Sequence, residues 1–130
     1  MKTLTHLTMG VLLATLVVAF TAKTTKAQDA VTVDPKHYKV EFENDQVRVL
    51  RITYGPHEKS VMHEHPAGVA VFLTENHGKF TYPDGKTEEA NAKAGEARWN
   101  AGGKHLPENL SDKPFELILV EMKTKAAPTQ

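Results

Sequence analysis

Apolar and polar positions alternate over short stretches of this chain, and from residue 36 onward the pattern predicts strands rather than helices. Tyr38–Glu43 carries an apolar side chain at every second position, as a strand with one buried face does. Val47–Tyr54 is rich in β-branched and aromatic residues, and its apolar phase changes between Val49 and Leu50. That change predicts either a bulge in this strand or burial of both its faces.

Further strands follow at regular intervals. The four clearest are Val69–Thr74, Lys79–Tyr82, Lys86–Ala90 and Phe115–Val120. The first and last are almost continuously apolar, which favours strands that are covered on both faces. The turn Pro83–Gly85 contains an Asp-Gly pair between two strand-like runs, the pattern of a β-hairpin. A short strand carrying Ala97 and Trp99 comes next, and the whole series predicts one all-β domain, a sandwich or barrel.

The first 27 residues follow a different pattern. Lys2 precedes the apolar stretch Met9–Phe20, and small or polar residues continue to Ala27. This is typical of a secretory signal peptide, and the stretch is shorter than the ~20 residues of a membrane span. We expect cleavage after Ala27, no stable membrane anchor after processing, and a periplasmic or extracellular protein. Retention as an amphipathic anchor or a buried helix is the alternative.

The pattern therefore divides the 130 residues into four parts. These are a signal peptide (1–27), an N-terminal lead (28–35), a barrel domain (36–123) and a flexible tail (124–130). The whole chain has 16 basic and 16 acidic residues, and processing removes three lysines, which leaves 103 residues with a net charge of −3. Such a balance is against nucleic-acid binding, which needs clustered basic residues.

The chain has no cysteine, so disulfides, thiolate nucleophiles and cysteine-ligated metals are excluded. Seven histidines remain for metal binding or acid–base chemistry. His63 and His65 are two residues apart, so in a strand their imidazoles point to one face. His105 follows a glycine-rich turn, where glycines allow a strand to begin with an inward side chain. A strand that brings His105 to the same face would complete a three-histidine site, and a metal-free pocket lined by histidines is the alternative.

These positions resemble the two motifs of the cupin family. The matching residues are Gly55, His63-x-His65, Gly95 and Asn100-x-Gly102-x-x-His105-x-x-x-Asn109. The resemblance extends over about residues 36–123 and is closest to small single-domain cupins of the cupin 2 type. It implies a double-stranded β-helix, or jelly-roll barrel, in which His63, His65 and His105 bind a metal.

Two positions depart from the cupin pattern. The family usually has a glutamate four or five residues after the second histidine, where this chain has Val69 and Ala70. Asn100 replaces the usual proline of the second motif. A set of three histidines without a carboxylate favours a divalent transition metal such as Fe, Zn, Ni or Cu over Mg²⁺ or Mn²⁺.

Three other residues are candidates for the surroundings of the site. Asn109 is predicted either to hydrogen-bond a histidine ligand or the substrate, or to hold the turn before Leu110–Pro114. Tyr82 and Trp99 are core residues or, if their strands face the interior, walls of a pocket.

Three functions are consistent with this sequence. The first is an exported small cupin whose metal serves an oxygenase-like enzyme acting on a small molecule, with no catalytic side chain indicated. The second is a barrel that binds a small ligand without catalysis, and the third is a structural barrel without metal. A homodimer formed through the edge strand Tyr38–Glu43 is a further expectation.

Overall fold

The computed structural model describes residues 28–124, so the predicted signal peptide and residues 125–130 of the predicted tail lie outside the described residues. Within this range the chain forms one short helix and nine strands. They are α1 (Ala30–Val33), β1 (Tyr38–Glu43), β2 (Val47–Tyr54), β3 (His63–His65), β4 (Gly68–Phe72), β5 (Asn76–Thr81), β6 (Thr87–Ala92), β7 (Ala97–Asn100), β8 (Gly103–Asn109) and β9 (Phe115–Met122). The prediction of an all-β domain is confirmed.

The strands form two antiparallel sheets that face each other. One sheet has the order β1-β2-β9-β4-β7, and the other has the order β3-β8-β5-β6. The core lies between them and depends on the pairing of β2 with β9, in which Leu50 is opposite Leu119 and Tyr54 is opposite Phe115. Because directly opposite residues share a face, even-numbered positions of β2 and odd-numbered positions of β9 point inward.

The predicted irregularity near Val49 and Leu50 lies in the neighbouring strand. β2 pairs with β9 without a break, so the prediction of a bulge in β2 is wrong. The register shift is in β1, between Val40 and Phe42, opposite the phase change of β2. Phe42 is thereby paired with Val49 and faces outward, and Tyr38 is the buried residue of β1.

The two motif regions come together because β3 pairs with β8. His63 is directly opposite His105, and His65 is opposite Gly103. Gly102 has a φ of +80° and lies so close to β3 that a Cβ there would be 2.8 Å from the carbonyl oxygen of His65. The turn before β8 therefore needs glycine both for its backbone conformation and for its closeness to the histidine strand.

The segment 28–35, expected as a lead, packs against the barrel. Asp29 caps α1 by accepting a hydrogen bond from the backbone N–H of Thr32, and Ala30 is fully buried in the core. The carbonyl oxygen of Gln28 accepts a hydrogen bond from the N–H of Glu64 in β3. Among residues 28–124, no helix has the length and apolar character needed to cross a membrane.

We expect Gly102→Ala to destabilise the fold more than Gly95→Ala does. Both glycines have a φ near +80°, but the space around Gly95 is open, whereas backbone atoms of His65, Pro66 and Ala67 crowd Gly102. The control variant should lose about 1–2 kcal/mol from the unfavourable φ alone. Gly102→Ala should lose a further ~1–3 kcal/mol from the clash. Thermal unfolding of both variants measures the difference, and equal losses would contradict the close approach described above.

Candidate metal centre

Three histidines from two strands converge in the interior of the barrel. Each of His63, His65 and His105 offers one ring nitrogen, and these nitrogens lie within 4.8 Å of one another. The ring centroids are separated by 4.8 to 5.4 Å. The structure thus brings together the three residues that the sequence singled out.

Aromatic neighbours fix the rings in these positions. The ring of Phe80 in β5 stacks on His105 with 5.0 Å between centroids and an interplanar angle of 21°. Tyr38 in β1 meets His63 edge-on, with 4.7 Å between centroids. One histidine is therefore supported by its own sheet and another by the opposite sheet, which restricts the rotation of both side chains.

His63 presents one nitrogen that lacks a protein partner. Its Nδ1 lies 2.8 Å from the carbonyl oxygen of Val61, an acceptor, so this nitrogen carries the proton and donates it. Its Nε2 is buried and has no hydrogen-bond partner among residues 28–124. A buried polar atom without a partner costs about 1–3 kcal/mol, and a cation at the cluster would remove that cost.

His65 is oriented by a buried carboxylate on the opposite sheet. Its Nδ1 lies 2.6 Å from Oε1 of Glu121, which is buried at the end of β9. The other oxygen of Glu121 accepts a hydrogen bond of 2.6 Å from Nε of Arg48, and Arg48 also donates to Asp29 at 2.5 Å. Histidine ligands of metals commonly donate to such a carboxylate, which leaves Nε2 as the ligand atom.

The surroundings of the cluster favour neutral His63 and His105 beside an ionised carboxylate. Burial lowers the pKa of His63 to about 4 and that of His105 to about 3, and the neighbouring histidines add to the effect. Burial by itself would raise the pKa of Glu121, but hydrogen bonds from His65 and Arg48 outweigh it and hold that pKa below its ordinary value. Neutral imidazoles are the form that binds a metal, so the donor set fits a dication at neutral pH.

Sequence reasoning missed both Glu121 and Arg48. A signal was nevertheless present, because Glu121 continues the inward phase of Leu117 and Leu119 in β9. Arg48 likewise continues the inward phase of Leu50 in β2 and is directly opposite Glu121. A charged residue that keeps the phase of a buried face is a candidate for a buried interaction.

A second buried network, also unforeseen, lies next to His63. His37 is buried, with Nδ1 2.6 Å from Asp34 and Nε2 2.9 Å from Glu58. Ser60 donates to the same Asp34 carboxylate at 2.5 Å, and its hydroxyl oxygen is 3.4 Å from Nδ1 of His63. Asp29 and Asp34, at the two ends of α1, therefore each reach a histidine of the cluster through one or two intervening side chains.

The other three candidates lie away from the histidine nitrogens. Asn109 is fully buried and holds a turn, since its amide donates to the carbonyl oxygens of Gly55 and Lys113 and its oxygen accepts from Ser111. The hydroxyl of Tyr82 donates to Glu88 on an exposed hairpin. Trp99 lies on the outer surface with 65% of its area exposed.

A cavity of about 90 Å³, partly open to solvent, adjoins His65 and His105. Its apolar wall is formed by Ile52, Phe72, Phe80, Phe115, Leu117 and Leu119. Asn76 also lines it; this residue is 8% exposed, and its Oδ1 has no hydrogen-bond partner among residues 28–124. Gly78 and Ala70 line the cavity too, and their small size leaves this space open. The cavity thus has an apolar body, one unused acceptor and the histidine cluster at its side.

Solved structures of known proteins share this architecture. A cupin domain from Bordetella pertussis is 24% identical and superimposes with a TM-score of 0.62 over 67% of this chain and 92% of that chain. A conserved protein with a double-stranded β-helix domain from Klebsiella pneumoniae is 18% identical, with a TM-score of 0.54 over 69% of this chain and 78% of that one. A cupin superfamily protein from Desulfitobacterium hafniense is 9% identical, with a TM-score of 0.51, 67% of this chain and 76% of that chain being covered.

No protein-family model matches the sequence, and neither does any curated protein. At these identities the structural likeness concerns the fold, and it shows that this chain is a small protein of the cupin fold. The fold expected from the two motifs is therefore confirmed, whereas metal binding and activity need their own argument.

We expect Glu121→Gln to weaken transition-metal binding about 10–100-fold, as loss of a carboxylate behind a histidine ligand does. The amide cannot both accept from His65 and balance the charge of Arg48. Glu116→Gln is the matched control, because Glu116 lies in the same strand and pairs with Arg51 away from the histidines. Competition titrations with a chelating dye measure both affinities, and equal affinities in the two variants would contradict the role given to Glu121.

Proposed function

We propose that this protein is an exported metalloprotein that binds one divalent transition metal through His63, His65 and His105 and acts on a small molecule held inside the barrel. One observation carries the proposal above all others. Nε2 of His63 is buried without a partner among residues 28–124, next to two further imidazoles whose ligand atoms lie within 4.8 Å. A cluster of three imidazoles in an apolar interior is stabilised by a cation that all three can bind.

The donor set restricts the choice of metal. Three imidazole nitrogens without a thiolate or a carboxylate ligand suit Fe, Zn, Ni or Cu better than Mg²⁺ or Mn²⁺. Glu121 stands behind His65 rather than beside the ligand atoms, so it supplies negative charge one hydrogen bond away. This arrangement compensates in part for the glutamate that the cupin motif usually has and this chain lacks.

The metal, when bound, would supply a Lewis acid or, as iron, a centre for oxygen chemistry. The residues of the chain would do the rest. The apolar wall of the cavity favours a small, uncharged substrate, and Oδ1 of Asn76 is placed to accept a hydrogen bond from a hydroxyl or amino group of that substrate. Phe80 keeps the imidazole of His105 at the cavity wall. An apolar cavity of this kind is compatible with an oxygenase-like reaction on a small molecule.

A binding protein without catalysis is the second candidate, and one observation favours it. Glu108 is engaged in an ion pair of 2.9 Å with Lys79, and among residues 28–124 no other carboxylate lines the cavity to serve as a general base. Capture of a small apolar molecule would need the cavity and Asn76 but no such base.

We expect the exported protein to begin at Gln28 and to contain one equivalent of a transition metal. N-terminal sequencing followed by elemental analysis of the same sample tests both points. His63→Ala and His105→Ala should each lose the metal, whereas His77→Ala should keep it, because His77 is half-exposed and contacts Glu89 instead. Protein that stays metal-free after growth with added Fe, Zn, Ni or Cu would contradict the proposal.

We expect Ala70→Leu to abolish ligand binding while the metal stays bound. The larger side chain would fill part of the cavity of about 90 Å³. The substitution leaves the three histidines that offer ligand atoms unchanged. Each compound of a panel of small phenols and amines is added to the protein, and both oxygen consumption and the shift in thermal unfolding temperature are measured. The two readings distinguish an enzyme from a binder. Consumption by the unmodified protein that ceases in Ala70→Leu supports an enzyme, and thermal stabilisation without consumption supports a binder. If no compound in the panel caused either oxygen consumption or thermal stabilisation, a small-molecule function would be contradicted.

A further inference from the structure

A row of apolar side chains crosses the whole outer face of the five-stranded sheet. In the strand register, Trp99 of β7 is opposite Val69 of β4, and Val69 is opposite Val120 of β9. Val120 is in turn opposite Val49 of β2, which is opposite Phe42 of β1. Directly opposite residues share a face, so all five side chains lie side by side on the face that points away from the barrel.

Neighbouring positions widen this row. On one side of it lie Ala97, Val71 and Ile118, and on the other side lie Val47 and Met122. We call these ten residues the outer apolar face. Trp99 is 65% exposed and Phe42 is 53% exposed, one at each edge of the sheet. Antiparallel sheets commonly turn a polar face to water, so a surface of this kind marks an interaction site.

The bulge in β1 contributes directly to the outer apolar face. Tyr38 and Val40 are opposite inward residues of β2, and regular alternation would have turned Phe42 inward as well. The register shift between Val40 and Phe42 turns Phe42 outward instead, where most of its ring is accessible. A bulge disrupts strand pairing and is kept where it aims a side chain at a useful place.

The sequence of the central strands indicates that both faces are covered. β4 and β9 are almost continuously apolar, the pattern of strands that are buried on both sides. The second sheet covers the inner face, but the residues of the outer face are only partly buried in the single chain. The apolar residues of β4 and β9 are therefore buried on both sides only when another surface packs on the outer apolar face.

We propose that a second copy of this chain covers the outer apolar face, so that two sheets stack face to face about a two-fold axis. A two-fold axis brings a surface against itself, so a surface without net charge meets no electrostatic repulsion from its copy. At its border Arg51 is paired with both Glu41 and Glu116, and Lys39 is directly opposite Arg51, so these four side chains together carry no net charge. Five strands spaced about 4.8 Å apart make the face about 20 Å wide, and sheets stack at about 10 Å through such apolar surfaces.

Segments of the same chain match the face less well. Residues 125–130 contain no large apolar side chain. Residues 9–20 are apolar, but they belong to the segment that the proposed processing removes. Pairing through the free edge of β1, which the sequence suggested, would use the backbone of that strand and would leave the outer apolar face uncovered.

The test compares the effects on dimerisation of substitutions at Phe42 and Val40, which lie in the same strand but on opposite faces. The mature chain, residues 28–130, is expected to sediment as a dimer, and Phe42→Lys and Trp99→Lys should each weaken the dimer at least tenfold. Val40→Lys is the matched control, because Val40 is 43% exposed and lies two residues from Phe42 but faces the opposite side. Far-UV circular dichroism and thermal unfolding verify that each variant is folded. Dissociation of the dimer by Val40→Lys to the same extent would assign the contact to the strand edge and overturn the proposal.

Fluorescence gives an independent measurement, since Trp99 is the single tryptophan of the chain. Its emission should shift to the blue as the concentration rises and the dimer forms, and in Phe42→Lys it should stay red-shifted over the same range. If the mature chain remains monomeric at roughly 100 µM, the proposal is overturned, because its dissociation constant would then be too high for a specific dimer. If the mature chain dimerises but the full chain does not, residues 1–27 would be the segment that covers the outer apolar face of the full chain. That result would overturn the two-fold contact for the unprocessed protein.

Discussion

The buried contact between Glu121 and Arg48 links most features of this molecule. Glu121 ends the central strand of one sheet and accepts hydrogen bonds from Arg48 beside it and from His65 on the other sheet. A carboxylate in this interior would be strongly destabilised without both partners, because burial penalises its charge. The same contact also reaches Asp29, so the segment before the barrel, the two sheets and the histidine cluster are held in one arrangement.

In the proposed metal centre, this arrangement would compensate in part for the glutamate that the cupin motif usually provides. A carboxylate behind a histidine ligand leaves all three imidazoles free to act as donors while negative charge stays close. The second network, through Asp34 and Ser60, supports His63 in a similar way from the other end of α1. The short N-terminal segment is thus part of the support of the proposed metal centre rather than a simple connection.

The two faces of the five-stranded sheet serve different purposes in this view. The inner face supplies apolar walls to the cavity and, at its end, the carboxylate that orients His65. The outer face is apolar as well, although the second sheet cannot cover it, and a bulge adds Phe42 to it. Because the side chains of the outer face point away from the histidines, substitutions there are expected to leave the histidine cluster intact, which allows assembly and metal binding to be measured separately.

Sequence alone determined the strand content, the hairpin at Pro83–Gly85 and the pair formed by His63 and His65, because these depend on local alternation and turn chemistry. The glycine-rich turn singled out His105, and the motif resemblance specified a jelly-roll barrel among the all-β folds that the strand pattern allowed. Only the tertiary structure showed that Glu121 and Arg48 meet, since these positions are far apart in the chain and their strands are brought together by long-range pairing. It also moved the bulge from β2 to β1, because a change of phase shows where two strands lose register but does not show which of them carries the extra residue.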